Sequence, residues 1–288
     1  MLNGQSAAGS IKHKGEGIYV LKLQNIIMEI DAMGGARISS FRLGNKEILS
    51  TREINQENFG STLWISPQIW KWPPSSVLDR EEYTAQLTNK VVKFTSSPDS
   101  ISGFTFIKTF SFEESGKAIN VRYEIKNTSH KLRSVAPWEV TRVPAGGLTF
   151  FPDGLEGGFS KSNLNTEKIN GITWFLYKPE MVDNHQKLFS DGSEGWLAHA
   201  NNGLLFIKQF PDISPDRQAP KEAEIEIYAN KDRTYIELEN QGVYTSLLPQ
   251  ESLVWNVKWY LVKVPAKIKL NTGNENLTEF VRKIIAYE

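Results

Sequence analysis

The sequence predicts an all-β protein, a large antiparallel β-sandwich that ends in one helix. Three observations support this prediction: most patterned segments alternate apolar and polar residues, turn-forming pairs separate them, and a helical repeat occurs only at the C-terminus. Period-two alternation is the pattern of a strand that buries one face. The 288 residues suffice for one large β domain without disulfides or metals.

Strands are predicted wherever this alternation is sustained. The segments are 18–30, 91–97, 103–113, 119–127, 203–210, 224–230, 234–240 and 252–264. Turn-forming pairs such as Gly116-Lys117 and Asn202-Gly203 lie between them. Segments 52–90 and 151–190 hold fewer strand patterns and more Pro, Gly, Asn and Asp. We expect these two segments to be long loops, where sites usually lie.

The C-terminal segment ENLTEFVRKIIAYE is the one convincing helix, predicted over residues 277–287 and expected to pack across the sandwich. Its apolar residues recur at i, i+3, i+4, i+7 and i+8, which places on one face Leu277, Phe280, Val281, Ile284 and Ile285. No low-complexity linker, charge block or repeat interrupts the chain. Residues 11–288 are therefore predicted to form one domain, after a flexible N-terminus of residues 1–10.

Composition excludes several functions. Cysteine is absent, which removes thiol nucleophiles, disulfides and thiolate metal sites. The 33 Lys and Arg balance 33 Asp and Glu, so no single-sign field is available for nucleic acid. No stretch approaches the roughly 18 to 20 apolar residues of a membrane span. We expect a soluble protein, cytoplasmic or, if a signal peptide was removed, periplasmic.

Cofactor motifs are missing as well. The four histidines form no HxH or HExxH pair, and the chain has no P-loop, GxSxG elbow or dinucleotide fingerprint. We therefore expect neither a metal nor a nucleotide cofactor.

Three tryptophans crowd into the segment GSTLWISPQIWKWPPSS, at Trp64, Trp70 and Trp72. Most tryptophans of a β protein belong to its core. This segment, however, interrupts the strand pattern and is rich in Ser, Gln and Pro, and aromatic faces on loops bind the C–H faces of sugar rings. We expect one buried indole, with Trp70 or Trp72 lining a carbohydrate pocket.

Two segments offer carboxylates for acid–base chemistry. In YIELENQG, Glu237 and Glu239 share one face of the predicted strand, although simple exposure to solvent beside Lys or Arg also explains them. In APWEVTRVP, Glu139 projects to the face opposite Trp138 and Arg142. An exposed ion pair of Glu139 is the alternative there, and such a pair contributes at most about 1 kcal/mol.

The chain resembles a known superfamily. AMGGARISSFRLGNKEIL, FGSTLWISPQ and YIELENQG followed by LLPQESLVWNVKWYLV resemble the galactose mutarotase-like superfamily, which includes the aldose 1-epimerases. GSTLWISPQIWKWPP with APWEVTRVPAGG is most similar to an uncharacterised bacterial domain family within it. The resemblance covers the whole chain and implies a supersandwich with its site on the concave sheet.

The resemblance also implies a reaction. Epimerases of this superfamily open and reclose a pyranose ring: a glutamate takes the proton of the anomeric hydroxyl, and a histidine protonates the ring oxygen, without a cofactor. Glu239 matches the glutamate, since Leu238-Glu239-Asn240-Gln241 falls at the family's Leu-Glu-x-Gln run. The histidine position falls on or beside Trp138. Glu139 is the expected substitute, provided that burial keeps it protonated, and the alternatives are His199 or His185.

The sequence therefore predicts a carbohydrate-binding protein with aldose 1-epimerase-type isomerase chemistry as its candidate activity. The alternative is a sugar-binding or protein-interaction module without that chemistry. The candidate catalytic residues are Glu239 and Glu139. The candidate contacts to a neutral or acidic sugar are Trp70, Trp72, Trp138, Arg37, Gln68, Arg142 and His199.

Overall fold

The alternating segments form two large antiparallel sheets in the computed structural model, which describes residues 9–286. The first strands are β1 (Ser10–Gly15), β2 (Ile18–Leu23), β3 (Ile26–Asp31), β4 (Arg37–Leu43), β5 (Lys46–Glu47), β6 (Ser61–Ser66), β7 (Thr84–Leu87), β8 (Val91–Thr95), β9 (Phe104–Phe112) and β10 (Ile119–Asn127). They are followed by β11 (Arg133–Pro144), β12 (Leu148–Pro152), β13 (Glu167–Ile169), β14 (Ile172–Leu176), β15 (Gln186–Ser190), β16 (Trp196–Asn201), β17 (Leu204–Gln209), β18 (Ile225–Ala229), β19 (Tyr235–Gln241), β20 (Thr245–Leu247) and β21 (Ser252–Lys263). The α-helices are α1 (Ser76–Asp79) and α2 (Glu275–Ile285).

Strand order defines the two layers. Sheet A runs β1-β2-β3-β4-β6-β11-β19-β18-β15, with β5 beside β4 and β20 beside β11. Sheet B runs β13-β14-β12-β16-β17-β21-β10-β9-β8-β7. The predicted all-β sandwich with a C-terminal helix is confirmed.

The core lies between the sheets and follows from the alternation. In β10, every second residue from Ile119 to Ile125 is buried, while the residues between them are half-buried. Phe41 of sheet A meets Trp259 of sheet B with ring centroids 5.2 Å apart. Since burying a large apolar side chain stabilises a fold by roughly 1.5–3 kcal/mol, this layer holds the sheets together.

Helix α2 covers the outer face of sheet B. The side chain of Asn274 caps its first turn by accepting a hydrogen bond from the Asn276 backbone, 3.1 Å away. Leu277 and Val281 are buried in a cluster that includes tryptophans of β14 and β16. The end predicted at residue 287 lies outside the described residues. Among residues 9–286, no helix has the length and apolar character needed to cross a membrane.

Three sequence predictions need correction. Segment 18–30 is a hairpin of β2 and β3, because Gln24 adopts a left-handed φ of 54° and turns the chain. Segment 52–90, predicted as a loop, contains the central strand β6, which alternation cannot reveal because both of its faces are buried. Segment 151–190 likewise contains β13, β14 and β15.

Of the N-terminus predicted to be flexible, residues 1–8 lie outside the described residues, and Ser10 already belongs to β1.

A glycine explains how β6 enters the sheet. Gly60 has a φ of 61°, and a Cβ at this position would lie 2.1 Å from the Ile38 carbonyl oxygen. Only glycine allows this approach. The Gly60 carbonyl in turn accepts a hydrogen bond from the backbone of Arg142, at 2.9 Å, and so fixes β11 beside β6.

Candidate functional site

Sheet A has a second face, directed away from sheet B, on which polar residues are concentrated. Glu139 of β11 contacts Tyr123 of sheet B, so its neighbours Trp138 and Val140 point the other way. Strand register carries this face across β6, β11, β19, β18 and β15. We call the side chains at its centre the outer-face cluster: Thr62, Trp64, Trp138, Val140, Arg142, Lys187, Glu226, Tyr228, Glu237, Glu239 and Gln241.

Glu239 lies at the middle of the outer-face cluster and is fully buried. Its Oε2 accepts hydrogen bonds from Trp138 Nε1 at 2.8 Å and from Lys187 Nζ at 2.9 Å. Its Oε1 has no hydrogen-bond partner among residues 9–286. One carboxylate oxygen is thus held in place, and the other is free to accept a proton or a hydrogen bond.

Lys187 joins two carboxylates. Its Nζ lies 2.6 Å from Glu226 Oε2 as well as 2.9 Å from Glu239 Oε2, and 4.8 Å above the ring of Trp138. Burial alone would lower the pKa of Lys187, but the charges of Glu226 and Glu239 outweigh it and raise that pKa. Lys187 therefore keeps its charge and orients Glu239.

Glu226 has a second set of partners. Its Oε1 accepts hydrogen bonds from the Ala223 backbone at 2.9 Å and from Gln241 Nε2 at 2.8 Å. Burial raises the pKa of Glu226 well above its usual range, although Lys187 opposes the shift. The Oε1 of Gln241 has no partner within the protein.

Arg142 and Glu237 form a second buried ion pair. Arg142 Nε donates to Glu237 Oε1 at 2.8 Å, and the guanidinium lies 5.1 Å from the ring centre of Trp64. Arg142 is fully buried, and its Nη1 and Nη2 have no hydrogen-bond partner in the described part of the chain. Burial raises the pKa of Glu237 to about 7, against the opposing charge of Arg142.

The four tryptophans Trp64, Trp70, Trp72 and Trp138 form one edge-to-face group, which we call the tryptophan wall. Trp64 is at its centre, with ring centroids 5.4–5.6 Å from the other three. Trp64 and Trp138 are buried, Trp70 is half-buried, and Trp72 is 51% exposed. Trp72 therefore forms the solvent-facing rim of the wall.

Arg37 and Gln68, two predicted sugar contacts, are placed differently. Arg37 is buried and donates to the Phe59 carbonyl at 3.0 Å and to Asp79 Oδ2 at 3.1 Å. Asp79 also accepts a hydrogen bond from Trp64 Nε1 at 2.9 Å. Arg37 therefore stabilises the tryptophan wall through Asp79. Gln68 is exposed on the loop after β6, where its backbone donates to Glu222 at 2.8 Å.

The structure does not bring Glu139 to Glu239. Glu139 points between the sheets, where Tyr123 donates to it at 2.6 Å and Trp259 at 3.2 Å. Lys208 Nζ lies 3.2 Å from its other oxygen. The expected pairing of Glu139 and Glu239 across one pocket is therefore wrong, because neighbouring positions of β11 face opposite sides of the sheet.

His199 is also separated from the outer-face cluster. It lies on β16 of sheet B, fully buried, with Nδ1 2.9 Å from Thr149 Oγ1. Burial lowers the pKa of His199 to about 3, which keeps the imidazole neutral. His199 is therefore a core residue and not the expected sugar contact.

Sequence reasoning missed Lys187, Glu226 and Tyr228. Lys187 falls in a segment predicted as a loop. Glu226 and Tyr228 lie on a predicted strand whose alternation marks them as a polar face, and this signal could have identified them. Within the described part of the chain, no group of three or more His, Asp or Glu residues could hold a metal ion.

The two-sheet architecture, with its polar outer face, defines the chain as a large antiparallel β-sandwich protein. It belongs to the family described as "Domain of unknown function (DUF4380)", whose model matches residues 66–262. A search of curated proteins returned no significant match.

Solved structures share the fold at low sequence identity. A galactose mutarotase-like protein from Lactobacillus casei has a TM-score of 0.60 and 13% identity, covering 85% of this chain and 100% of its own. A galactose mutarotase related enzyme from Lactobacillus acidophilus has a TM-score of 0.60 and 9% identity, covering 88% and 100%. A galactose mutarotase-like protein from Clostridium acetobutylicum has a TM-score of 0.57 and 13% identity, covering 86% and 95%.

Proposed function

We propose that the chain acts as one domain over residues 11–288 and binds a carbohydrate at the outer-face cluster. One observation supports this most directly: apart from Glu226 Oε2, which lies against Lys187, four buried polar atoms of the cluster have no hydrogen-bond partner among residues 9–286, namely Glu239 Oε1, Gln241 Oε1, Arg142 Nη1 and Arg142 Nη2. An unsatisfied buried polar group costs roughly 1–3 kcal/mol. The set combines two acceptors with two donors, and sugar hydroxyls both donate and accept.

The tryptophan wall supplies the apolar half of such a site. Indole faces pack against the C–H faces of a sugar ring, and Trp70 and Trp72 are the two members of the wall that reach solvent. Glu239 is buried and hydrogen-bonded to Trp138 and Lys187, so a ligand reaches it only if a neighbouring side chain moves. Lys187, with its side chain 23% exposed, is the easier to move.

Charge favours a neutral sugar over an acidic one. The outer-face cluster contains three carboxyl groups, on Glu226, Glu237 and Glu239, against the two cations Lys187 and Arg142. Above the raised pKa values of Glu226 and Glu237, where all three are ionised, it therefore offers no net positive charge to an anion.

Calorimetric titration with a panel of neutral and acidic sugars tests this proposal. We expect saturable binding of a neutral sugar, weakened about tenfold or more in Trp70→Ala/Trp72→Ala. Ile69→Ala is the matched control, because Ile69 is 90% exposed on the same loop. Binding that survives the double substitution contradicts the platform, and the lack of binding by any sugar contradicts the function.

The candidate reaction is aldose 1-epimerase-type isomerisation with Glu239 as the base. Its unpartnered Oε1 supports this role, since that atom is available to take the proton of an anomeric hydroxyl. A binding protein without chemistry is the second candidate. It is favoured by Trp138, which lies where the resemblance expects a histidine and donates a hydrogen bond to Glu239, because an indole N–H does not transfer its proton.

Polarimetry on freshly dissolved α-anomers separates the two candidates. If the chain is an epimerase, Glu239→Gln lowers the mutarotation rate by on the order of 10² to 10⁴ while sugar binding persists. Glu29→Gln is the control, since it removes a partly buried, ion-paired carboxylate from β3 of the same sheet. A wild-type rate that never exceeds the spontaneous rate, for a sugar that binds, leaves only the binding function.

A further inference from the structure

A histidine does lie at the rim of the outer-face cluster, on a different strand from the one the resemblance indicates. His185 directly precedes β15, and its Nδ1 is hydrogen-bonded to the hydroxyl of Tyr228 on β18. The two rings are stacked, with centroids 5.7 Å apart and an interplanar angle of 19°. His185 is exposed and Tyr228 is half-buried, so the pair connects solvent to the cluster.

Strand register places Tyr228 beside the groups of the proposed reaction. Tyr228 is directly opposite Glu237 of β19 and Lys187 of β15, and it is diagonal to Glu239 on the same face. Directly opposed side chains have Cβ atoms about 4.5–5.5 Å apart, and diagonal ones about 7–8 Å. Glu239 and Tyr228 are therefore near neighbours on the face that forms the proposed site.

The groups around Tyr228 keep its hydroxyl protonated. They are Lys187 from β15, Tyr235, Glu237 and Glu239 from β19, Asn230 just past β18, and His185. Burial, followed by the electrostatic effects of Tyr235 and Glu237, raises the pKa of Tyr228 above its usual value. Tyr228 therefore presents a proton at neutral pH but needs a partner to replace it.

We propose that Tyr228, resupplied by His185, is the proton donor to the ring oxygen, a role that rests on the proposed epimerase function. Glu239 takes the proton of the anomeric hydroxyl, the bond between the anomeric carbon and the ring oxygen breaks, and the anomeric carbon becomes a carbonyl. The ring oxygen takes the proton of Tyr228, and the protonated imidazole of His185 gives its Nδ1 proton to Tyr228. Reclosure on the other face of the carbonyl reverses each transfer, so atoms and charges balance.

Other nearby groups are less suited to this role. Glu237 is held by Arg142, Lys187 is held between two carboxylates, and the Trp138 N–H donates to Glu239. An imidazole, by contrast, takes up and releases a proton near neutral pH. Among these groups, only the Tyr228–His185 pair combines a hydroxyl on the site face with an exposed proton source.

The chain contains a matched control for this pair. His13 and Tyr19 are also stacked, with centroids 4.6 Å apart and an interplanar angle of 22°, on β1 and β2 of the same sheet. We expect Tyr228→Phe to lower the mutarotation rate by about 10²-fold or more, with sugar affinity changed less than about threefold. Tyr19→Phe and His13→Gln are expected to leave the rate unchanged.

The pH profile tests the relay itself. The wild-type rate is expected to fall at high pH, where an imidazole no longer carries its second proton, and His185→Gln is expected to be slow and to lack this limb of the profile. A merely structural contact would not change the shape of the profile.

Three outcomes overturn the proposal and remain distinguishable from one another. A wild-type rate in Tyr228→Phe removes the donor but leaves the epimerase function standing. If Glu237→Gln loses the fall in rate at high pH while His185→Gln keeps it, the proton donor is Glu237 and not the Tyr228–His185 pair. The absence of any acceleration by the wild type removes the donor together with the chemistry, while calorimetry still decides sugar binding on its own.

Discussion

Sheet A holds a buried glutamate–lysine pair on each of its two faces, and the pairs differ in what surrounds them. On the inner face, Glu139 lies 3.2 Å from Lys208, which also donates to the Leu238 carbonyl at 2.7 Å. On the outer face, Glu239 lies 2.9 Å from Lys187, which also contacts Glu226. The inner lysine is fully buried, whereas the side chain of Lys187 is 23% exposed.

The inner pair is suited to a structural role, and the outer pair is suited to binding a ligand. Burial lowers the pKa of Lys208, because the single carboxylate of Glu139 does not compensate for it, whereas two carboxylates raise the pKa of Lys187. On the inner face, aromatic donors from sheet B bind one oxygen of Glu139 and Lys208 lies 3.2 Å from the other, so both carboxylate oxygens are paired. On the outer face, Trp138 and Lys187 share one oxygen of Glu239, and its Oε1 has no hydrogen-bond partner among residues 9–286.

The largest expected effect comes from breaking the inner pair. Lys208→Met leaves Glu139 buried without its cation, and removing one partner of a buried pair costs about 3–5 kcal/mol. Urea unfolding followed by circular dichroism measures the loss. Lys208→Met/Glu139→Gln is expected to recover most of it, since the uncompensated charge is then gone. A single variant as stable as the wild type would show that the inner pair does not stabilise the sandwich.

The face of each residue, but not its partner, follows from the sequence. Period-two alternation correctly places Glu139 opposite Trp138, and Glu237 with Glu239. Alternation distinguishes the two faces of a strand without showing which of them meets the other sheet, and for that reason Glu139 was assigned to the wrong side.

Strand order limits the prediction of the candidate site in the same way. Lys187 of β15 contacts Glu239, and Tyr228 of β18 lies diagonal to it, only because these strands extend sheet A beyond β19. No local pattern encodes that order. The all-β class and helix α2 depend on local periodicity and were predictable, whereas the outer-face cluster depends on neighbours distant in the chain.

The free energy of unfolding is also expected to depend on pH, by an amount between the effects of the inner and the outer lysine substitutions. The pKa of Glu237 is raised from 4.5 to about 7, so the folded state keeps a proton that the unfolded state loses between these values. Glu237 is therefore expected to contribute a fall in stability as pH rises from 4.5 to about 7, by an upper bound of about 3 kcal/mol, and no further fall above that range. Urea titrations at several pH values measure the slope, and Glu237→Gln is expected to reduce it between these two values. An equal slope in that variant assigns the dependence to other groups.

The smallest expected effect belongs to the outer lysine, and it depends on pH. Lys187→Met removes the cation that opposes the raised pKa of Glu226, so Glu226 then holds its proton more firmly and relieves the uncompensated charge. We expect a loss of about 2 kcal/mol or less, the scale of one hydrogen bond to a charged group and below that of the inner pair. Because protonated carboxyls need no cation, the loss is expected to be smaller at pH 5 than at pH 8. Unfolding of Lys187→Met and Lys208→Met side by side at both pH values measures the difference. Equal losses in the two variants would remove the distinction between a structural inner pair and an adaptable outer pair.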